Sequence, residues 1–345
     1  MRWSVACGRR ETRGGNVMTS TGSAASPGNE VLVAWLHKLV EIRLAEDKVS
    51  EIYMQGLVPG TVYLCQGQEA VSVGACGALH DDDWLVCTYR GHHHALARGM
   101  DLESFFAEIM GRDNGICRGM GGSSHLVDRS LGMLGAPVII GAGLAVATGA
   151  GMTAKLRGEN RVAICFFGDG ACNIGAFHEA LNMAQLWKAH VVFVIENNQY
   201  GEYTAYRDST ALDGKLADRA SAYGMANAVV DGQDAMAVFD VVAEARARAV
   251  AGDGPTLIEA ETYRYRGHNR ADPGAYRPDG ELDAWRARDP INILRDHLQS
   301  IGAITADDLE TAWDRLQHSV DDSAARAADG PWPTLEQARG YVFAD

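Results

Sequence analysis

Residues 162–200 read VAICFFGDGACNIGAFHEALNMAQLWKAHVVFVIENNQY, and the fold turns on how this stretch divides. Val162 to Phe167 is an apolar, β-type run that stops at Gly168-Asp169-Gly170. Phe177, Ala180, Leu181, Ala184 and Leu186-Trp187 then recur at three- and four-residue steps, the spacing of a helix. A second apolar run, Val191 to Ile195, breaks at Glu196-Asn197-Asn198. Strand, helix, strand in so short a span is a parallel βαβ unit of right-handed crossover. The expected fold is therefore α/β, a mainly parallel sheet with helices on both faces.

Asp169 and Asn198 each follow the carboxyl end of a strand, so both belong at one edge of the sheet, where open α/β sheets bind ligands. A carboxylate and a carboxamide meeting there supply hard oxygen donors, which suit a magnesium ion carrying a diphosphate. Gly168 and Gly170 are expected to allow a sharp turn and a close approach of backbone to phosphate oxygens.

The 345 residues suffice for a full core, and 47% hydrophobic with 22% charged residues is ordinary for a globular chain. The net charge of −14 comes with no basic stripe, which argues against nucleic acid or an anionic membrane as partner. The seven cysteines are odd in number and include no C-x-x-C pair, as expected of reduced thiols in an intracellular, cytoplasmic protein. Residues 130–154 carry no charge, but seven of these 25 positions are Gly or Pro, so a membrane span is rejected. Small residues at every fourth position, Gly141-Ala145-Gly149 and Gly143-Ala147-Gly151, instead suggest a buried, closely packed helix at a subunit contact.

Residues 1–29, with four arginines and no periodicity, read as a disordered extension, with Met18 as a candidate true start. The alternative is a transit leader, which would place the protein in the mitochondrial matrix. From residue 30 onward one domain is expected. A helix runs from Glu30 to Gln55, and a second begins at Gly67-Gln-Glu-Ala70 and runs to about Leu79. Asp81-Asp82-Asp83 is expected to be a solvated turn before a strand from Trp84 to Thr88. That strand ends in Tyr89-Arg90-Gly91-His92-His93-His94. Zinc is disfavoured there because adjacent side chains diverge, whereas metal ligands must converge. A short helix over 101–110 leads to Gly111–His125, glycine-rich and irregular, a functional loop or lid. Thr256 to Tyr263 is another parallel-type strand, followed by a second basic loop, Arg264 to Arg270. Peripheral helices begin near Glu281.

Three strand ends thus bring Asp169/Asn198, Tyr89/Arg90 and Arg264/His268 to one rim, a composition suited to a metal-bridged diphosphate. A nicotinamide dinucleotide site is the rival reading. It is weakened because Gly175 falls five residues after Gly170 where the dinucleotide fingerprint needs three.

Gly168-Asp169-Gly170 with Asn198 resembles the thiamine-diphosphate motif. More narrowly, the chain resembles the alpha subunit of the heteromeric 2-oxo acid dehydrogenase first component, the pyruvate, branched-chain and acetoin dehydrogenase group. The resemblance runs from about residue 32 to about residue 295. It rests on GQEA (67–70), YRGH (89–92), GMGGSSH (119–125), GDGACNIGAFHEALNMA (168–184), ENNQYGEYT (196–204) and YRYRGHNRADP (263–273). It implies that Asp169, Asn198 and the Tyr200 carbonyl bind magnesium, and that Tyr89, Arg90 and Arg264 hold the diphosphate of thiamine diphosphate. The backbone at Gly132, Leu134, Gly170 and Ala171 would line the cofactor, and His268 would lie near the reacting carbon. The implied activity is decarboxylation of a 2-oxo acid or cleavage of acetoin, with the acyl group passed to a lipoyl acyltransferase. The implied assembly is an α2β2 heterotetramer with a beta subunit. A non-catalytic scaffold of the same fold is the remaining alternative. Tyr63 stands where pyruvate-type relatives commonly carry histidine, and Asn269 replaces the serine that is phosphorylated in mitochondrial pyruvate relatives.

Overall fold

The computed structural model describes residues 27–342, so the reading of residues 1–26 lies outside the described residues. The strands are β1 (Trp84–Val86), β2 (Met133–Gly135), β3 (Ala163–Gly168), β4 (Val191–Asn197), β5 (Tyr200–Gly201), β6 (Thr204–Ala205), β7 (Ala226–Asp231) and β8 (Thr256–Glu261). β5 and β6 make a small antiparallel ribbon, and the other strands form a sheet in the order β2-β1-β3-β4-β8-β7. Every pairing in that sheet is parallel. The strand expected over Trp84 to Thr88 stops at Val86, where the β1–β2 register slips between Leu85 and Val86.

The helices are α1 (Asn29–Met54), α2 (Glu69–Gly77), α3 (His92–Ala97), α4 (Leu102–Ile109), α5 (Ala142–Arg157), α6 (Gly175–Trp187), α7 (Tyr206–Ser209) and α8 (Ala235–Val250). α9 (Glu281–Arg286), α10 (Pro290–Ser300), α11 (Ala306–Ala328) and α12 (Leu335–Gly340) follow. Alternate residues of β3 and β4 feed two cores. Ile164, Phe166, Val192 and Val194 pack with α1, α2, α8 and α11, while Ala163, Cys165, Phe167, Val191, Phe193 and Ile195 pack with α5 and α6. Because both faces are covered, these strands read as unbroken apolar runs rather than alternating ones.

The expectation of a buried helix over the uncharged stretch holds for one face only. In α5 the row Gly143-Ala147-Gly151 is buried, whereas Ala145 and Gly149 are exposed. A Cβ on Gly151 would fall 2.6 Å from the His190 carbonyl oxygen and 2.4 Å from Val191. That row therefore lets α5 lie directly on the end of β4. In the other row Gly141 is buried against Ile174, while Ala145 and Gly149 face outward and a Cβ at Gly149 would meet nothing within 4 Å.

Asp81 and Asp82 are exposed as expected, but Asp83 is fully buried and is not part of a solvated turn. Its carboxylate accepts from the backbone N–H groups of His80 (2.7 Å) and Val162 (2.8 Å) and from both Nε (2.6 Å) and an Nη (3.1 Å) of Arg246. One side chain thus ties β1, the start of β3 and α8 together. Arg246→Ala leaves that carboxylate buried without its cation, a loss of about 3–5 kcal/mol. A clear drop in the melting temperature is expected, and an unchanged one would show that Asp83 finds water instead.

The six cysteines within the described residues are all unpaired. No described helix is long and apolar enough to cross a membrane.

Candidate active site

A cavity of about 540 Å³ opens at the carboxyl ends of β3 and β4, the edge at which an open parallel sheet presents its ligands. Asp169, Gly170 and Ala171 reach it from the 3-10 turn that separates β3 from α6; Asn198 and Tyr200 reach it from the end of β4 and the ribbon. Tyr89 and Arg90 come from the segment after β1, and Arg264 and His268 from the loop after β8.

The turn expected at Gly168 and Gly170 is the 3-10 turn that begins at Asp169. Neither adopts a positive φ, so the turn after β3 does not need glycine for its backbone. Both glycines line the cavity, and a Cβ at Gly168 would meet nothing within 4 Å. What their missing side chains provide is open space.

Asp169 is 1% exposed, and its Oδ2 has no hydrogen-bond partner. Burial pushes its carboxyl up to about 7, against the pull of Arg264. A buried carboxylate with an idle oxygen calls for a cation. Asn198 donates from Nδ2 to Gln68 Oε1 (3.1 Å), and its Oδ1 accepts weakly from the Tyr200 N–H (3.4 Å). Gln68, itself fully buried, therefore sets which end of the Asn198 amide is free to act as a ligand.

Arg90 and Arg264 are buried, and among the described residues neither has a carboxylate in ion-pair range. Their donors go to neutral oxygens: Arg90 to the carbonyls of Leu64 (2.6 Å) and His268 (2.7 Å), Arg264 to the Glu202 carbonyl (3.1 Å) and the Tyr276 hydroxyl (2.9 Å). Burial and the nearby Arg264 hold the Arg90 guanidinium down at about 10. Two buried cations facing one cavity, neither with a carboxylate in ion-pair range, make an anion seat.

His268 sits beside that seat. Its N–H donates to Asp272 Oδ2 (2.5 Å), and its ring Nδ1 is buried without a partner. Tyr63 and Tyr89 flank the ring, with centroids 5.4 and 6.2 Å away. Burial, then Arg90 and Arg264, lowers its pKa to about 4. The imidazole is therefore neutral at pH 7. Because its folded value lies below the ordinary value of about 6.5, its contribution to stability falls as pH drops from there towards 4. An anion seated on the two arginines offsets their repulsion and should raise the value. Titration of isotope-labelled His268 with and without magnesium pyrophosphate measures this, and an unmoved pKa would place the anion elsewhere.

Gly132 and Leu134 do not line the cavity. Gly132 precedes β2, so it lies at the amino end of that strand, where its φ is +73 and a Cβ would strike the Asp83 carbonyl oxygen at 2.3 Å. The residues of this segment that do reach the cavity are Pro137–Gly141, beyond the carboxyl end of β2.

The Gly111–His125 loop is organised around Glu108, a buried residue of α4. Its Oε2 accepts from the N–H groups of Cys117 and Gly119 (both 2.8 Å), and its Oε1 from those of Gly121 (2.7 Å) and Gly122 (3.0 Å). His92 fastens the same loop: its Nε2 lies 2.9 Å from Ser123 Oγ, and its Nδ1 lies 2.5 Å from Glu46.

The expectation that the consecutive histidines diverge also fails. The segment is helical and buried, and Nε2 of His93 and of His94 both approach Glu196 Oε1, at 2.9 and 3.3 Å. Gln68, Glu196 and Glu202 line the cavity without having been singled out as site residues. Gln68 lay within a quoted motif, but nothing in the sequence marked it as the partner of Asn198.

A family model described as the dehydrogenase E1 component matches residues 37–336. Over 301 residues the chain is 44% identical to the alpha subunit of acetoin:2,6-dichlorophenolindophenol oxidoreductase of Bacillus subtilis (strain 168), covering 87% of this chain and 90% of that protein. It is 40% identical over 307 residues to the pyruvate dehydrogenase E1 component subunit alpha of Porphyra purpurea, covering 87% and 89%. To the somatic mitochondrial human form it is 34% identical over 308 residues, 88% and 77% of the two chains. With the family model spanning nearly the whole described chain and relatives this similar over most of their length, the protein belongs to the dehydrogenase E1 component family, among its alpha subunits.

Proposed function

We propose that this chain is the alpha half of a thiamine-diphosphate-dependent dehydrogenase that decarboxylates a 2-oxo acid or cleaves acetoin. The acyl group then passes to a lipoyl carrier. The observation that carries the site assignment is the pairing of two uncompensated buried cations, Arg90 and Arg264, with the idle buried oxygen of Asp169 on one cavity. A magnesium diphosphate satisfies all three at once.

In this reading Asp169, Asn198 and the Tyr200 carbonyl hold the magnesium ion. Arg90 and Arg264, with Tyr89 beside them, hold the diphosphate, and Gly170 and Ala171 line the cofactor. Thiamine supplies the electron sink for breaking the bond to the substrate's carbonyl carbon. His268, neutral and with a free Nδ1, is placed to accept or return a proton near that carbon. Tyr63, packed edge-on against Tyr89 at 4.5 Å, narrows the same end of the cavity. The partners are a beta subunit, in an α2β2 assembly, and a lipoyl acyltransferase. We place the protein in the cytoplasm.

The test is co-expression with a beta subunit, followed by acetoin- and pyruvate-dependent dye reduction with magnesium and thiamine diphosphate each omitted in turn. Activity is expected to need both subunits and both cofactors. Turnover that survives their removal, or that follows NAD instead, would sink the reading. Comparing the two substrates then assigns the substrate class.

A further inference from the structure

We propose that His93, His94 and Glu196 form a second metal site, suited to a zinc-like divalent transition ion, behind the part of the cavity wall that Glu196 lines. The two histidines are the second and third residues of α3, shortly after Arg90, and Glu196 lies near the end of β4, two positions before Asn198. The ligand atoms of all three lie within 4.8 Å of one another, and all three residues are buried.

The spacing fits coordination. In a tetrahedral zinc site with bonds of about 2.0–2.2 Å, neighbouring donors are roughly 3.3 Å apart. Glu196 Oε1 stands 2.9 Å from His93 Nε2 and 3.3 Å from His94 Nε2. The ring centroids are 3.9 Å apart, so both nitrogens converge on one point beside the carboxylate. Hydrogen bonding leaves the group poorly satisfied. Nδ1 of His93, Nδ1 of His94 and Nε2 of His94 are all buried without a partner, an uncommon density of orphaned polar atoms. An ion bound to both Nε2 atoms and to the carboxylate satisfies Nε2 of His94, while each ring keeps its proton on Nδ1.

Donor type separates this site from the one above it. Asp169, Asn198 and the Tyr200 carbonyl present only oxygen, the choice of magnesium, while two imidazoles with one carboxylate suit zinc, cobalt or nickel. Glu196 lines the cavity, which gives an ion its route in before the cofactor seats. Neither Nδ1 has the acceptor that usually backs a metal-bound imidazole, and each missing partner costs about 10- to 100-fold in affinity. The ion is therefore exchangeable. When bound, it joins the element that follows Arg90 to the one that precedes Asn198.

The experiment uses the α2β2 enzyme, stripped of metal and then saturated with magnesium and thiamine diphosphate so that the oxygen site is filled. Zinc is added alone and measured by equilibrium dialysis. One zinc per alpha chain is expected, with affinity at least about 10-fold lower in His93→Gln. Equal retention by wild type and variant, or no stoichiometric zinc in wild type, overturns the site. If His93→Gln does not assemble, cobalt in the wild-type enzyme decides. The intense visible bands of four- or five-coordinate cobalt support the site, and the weak bands of an octahedral ion refute it. Magnesium-dependent turnover does not enter either readout, so failure here leaves the assignment of the diphosphate site standing.

Discussion

Asp169→Ala, assembled with its beta partner, is expected to lose at least about 10-fold in affinity for the magnesium–thiamine diphosphate pair, and turnover at ordinary cofactor levels should collapse. Outer partners of metal ligands alone are worth about 10- to 100-fold, and Asp169 is the one charged ligand proposed. The opposite sign is expected for the metal-free chain. Burial raises the Asp169 carboxyl to about 7, above its ordinary value of 3.8, so the residue favours folding only while protonated. As pH rises from about 4 through 7, the unfolded chain gives up this proton first and stability is lost. Above that window the alanine variant, lacking a buried charge, should melt no lower than wild type when both are metal-free. Cofactor titration and thermal melting at pH 8 check the two halves of the prediction. A variant that binds cofactor normally, or one that melts lower without metal, would show that Asp169 does structural work instead.

The second large effect is expected at Glu108. Its two oxygens each hold a pair of backbone N–H groups, Cys117 and Gly119 on one and Gly121 and Gly122 on the other. Glutamine keeps the shape, yet its amide NH2 must then face one pair of donors. Unsatisfied buried donors cost about 1–3 kcal/mol each, so Glu108→Gln should lose about 3 kcal/mol or more, nearly all of it from this loop. Faster hydrogen exchange at residues 117–122 and new tryptic cleavage at Arg112 and Arg118 are the signatures. Full protection in the variant would mean that the loop is held elsewhere.

Much of this architecture was legible because its cause is local. The runs Val162–Phe167 and Val191–Ile195 are apolar throughout, as strands covered on both faces must be, and helical spacing from Phe177 to Trp187 fills the interval. Asp169, Asn198, Arg90 and Arg264 stand at strand ends, where topology alone directs them to one edge. The errors share a different cause. Asp83 looks like its exposed neighbours, and only Arg246, far along the chain, makes its burial affordable. The histidines converge because the chain turns helical at residue 92 and Glu196 comes to meet them. Gly132 and Leu134 were carried over from the resemblance, and in this segment the residues that line the cavity begin at Pro137, beyond β2. Glu108 carries no local mark at all, since its partners are backbone amides.

The Asp83 anchor also bears on how the chain assembles. Its oxygens are satisfied only when residue 83 meets Val162, 79 positions away, and Arg246, 163 positions away. Contacts of such range must overcome the entropy of closing long loops before they yield anything, and they slow folding accordingly. Without α8 in place, the Asp83 carboxylate between β1 and β3 would lack its cation. Burying that charge is therefore expected late in folding, coupled to the docking of α8 from the carboxyl-terminal half of the chain.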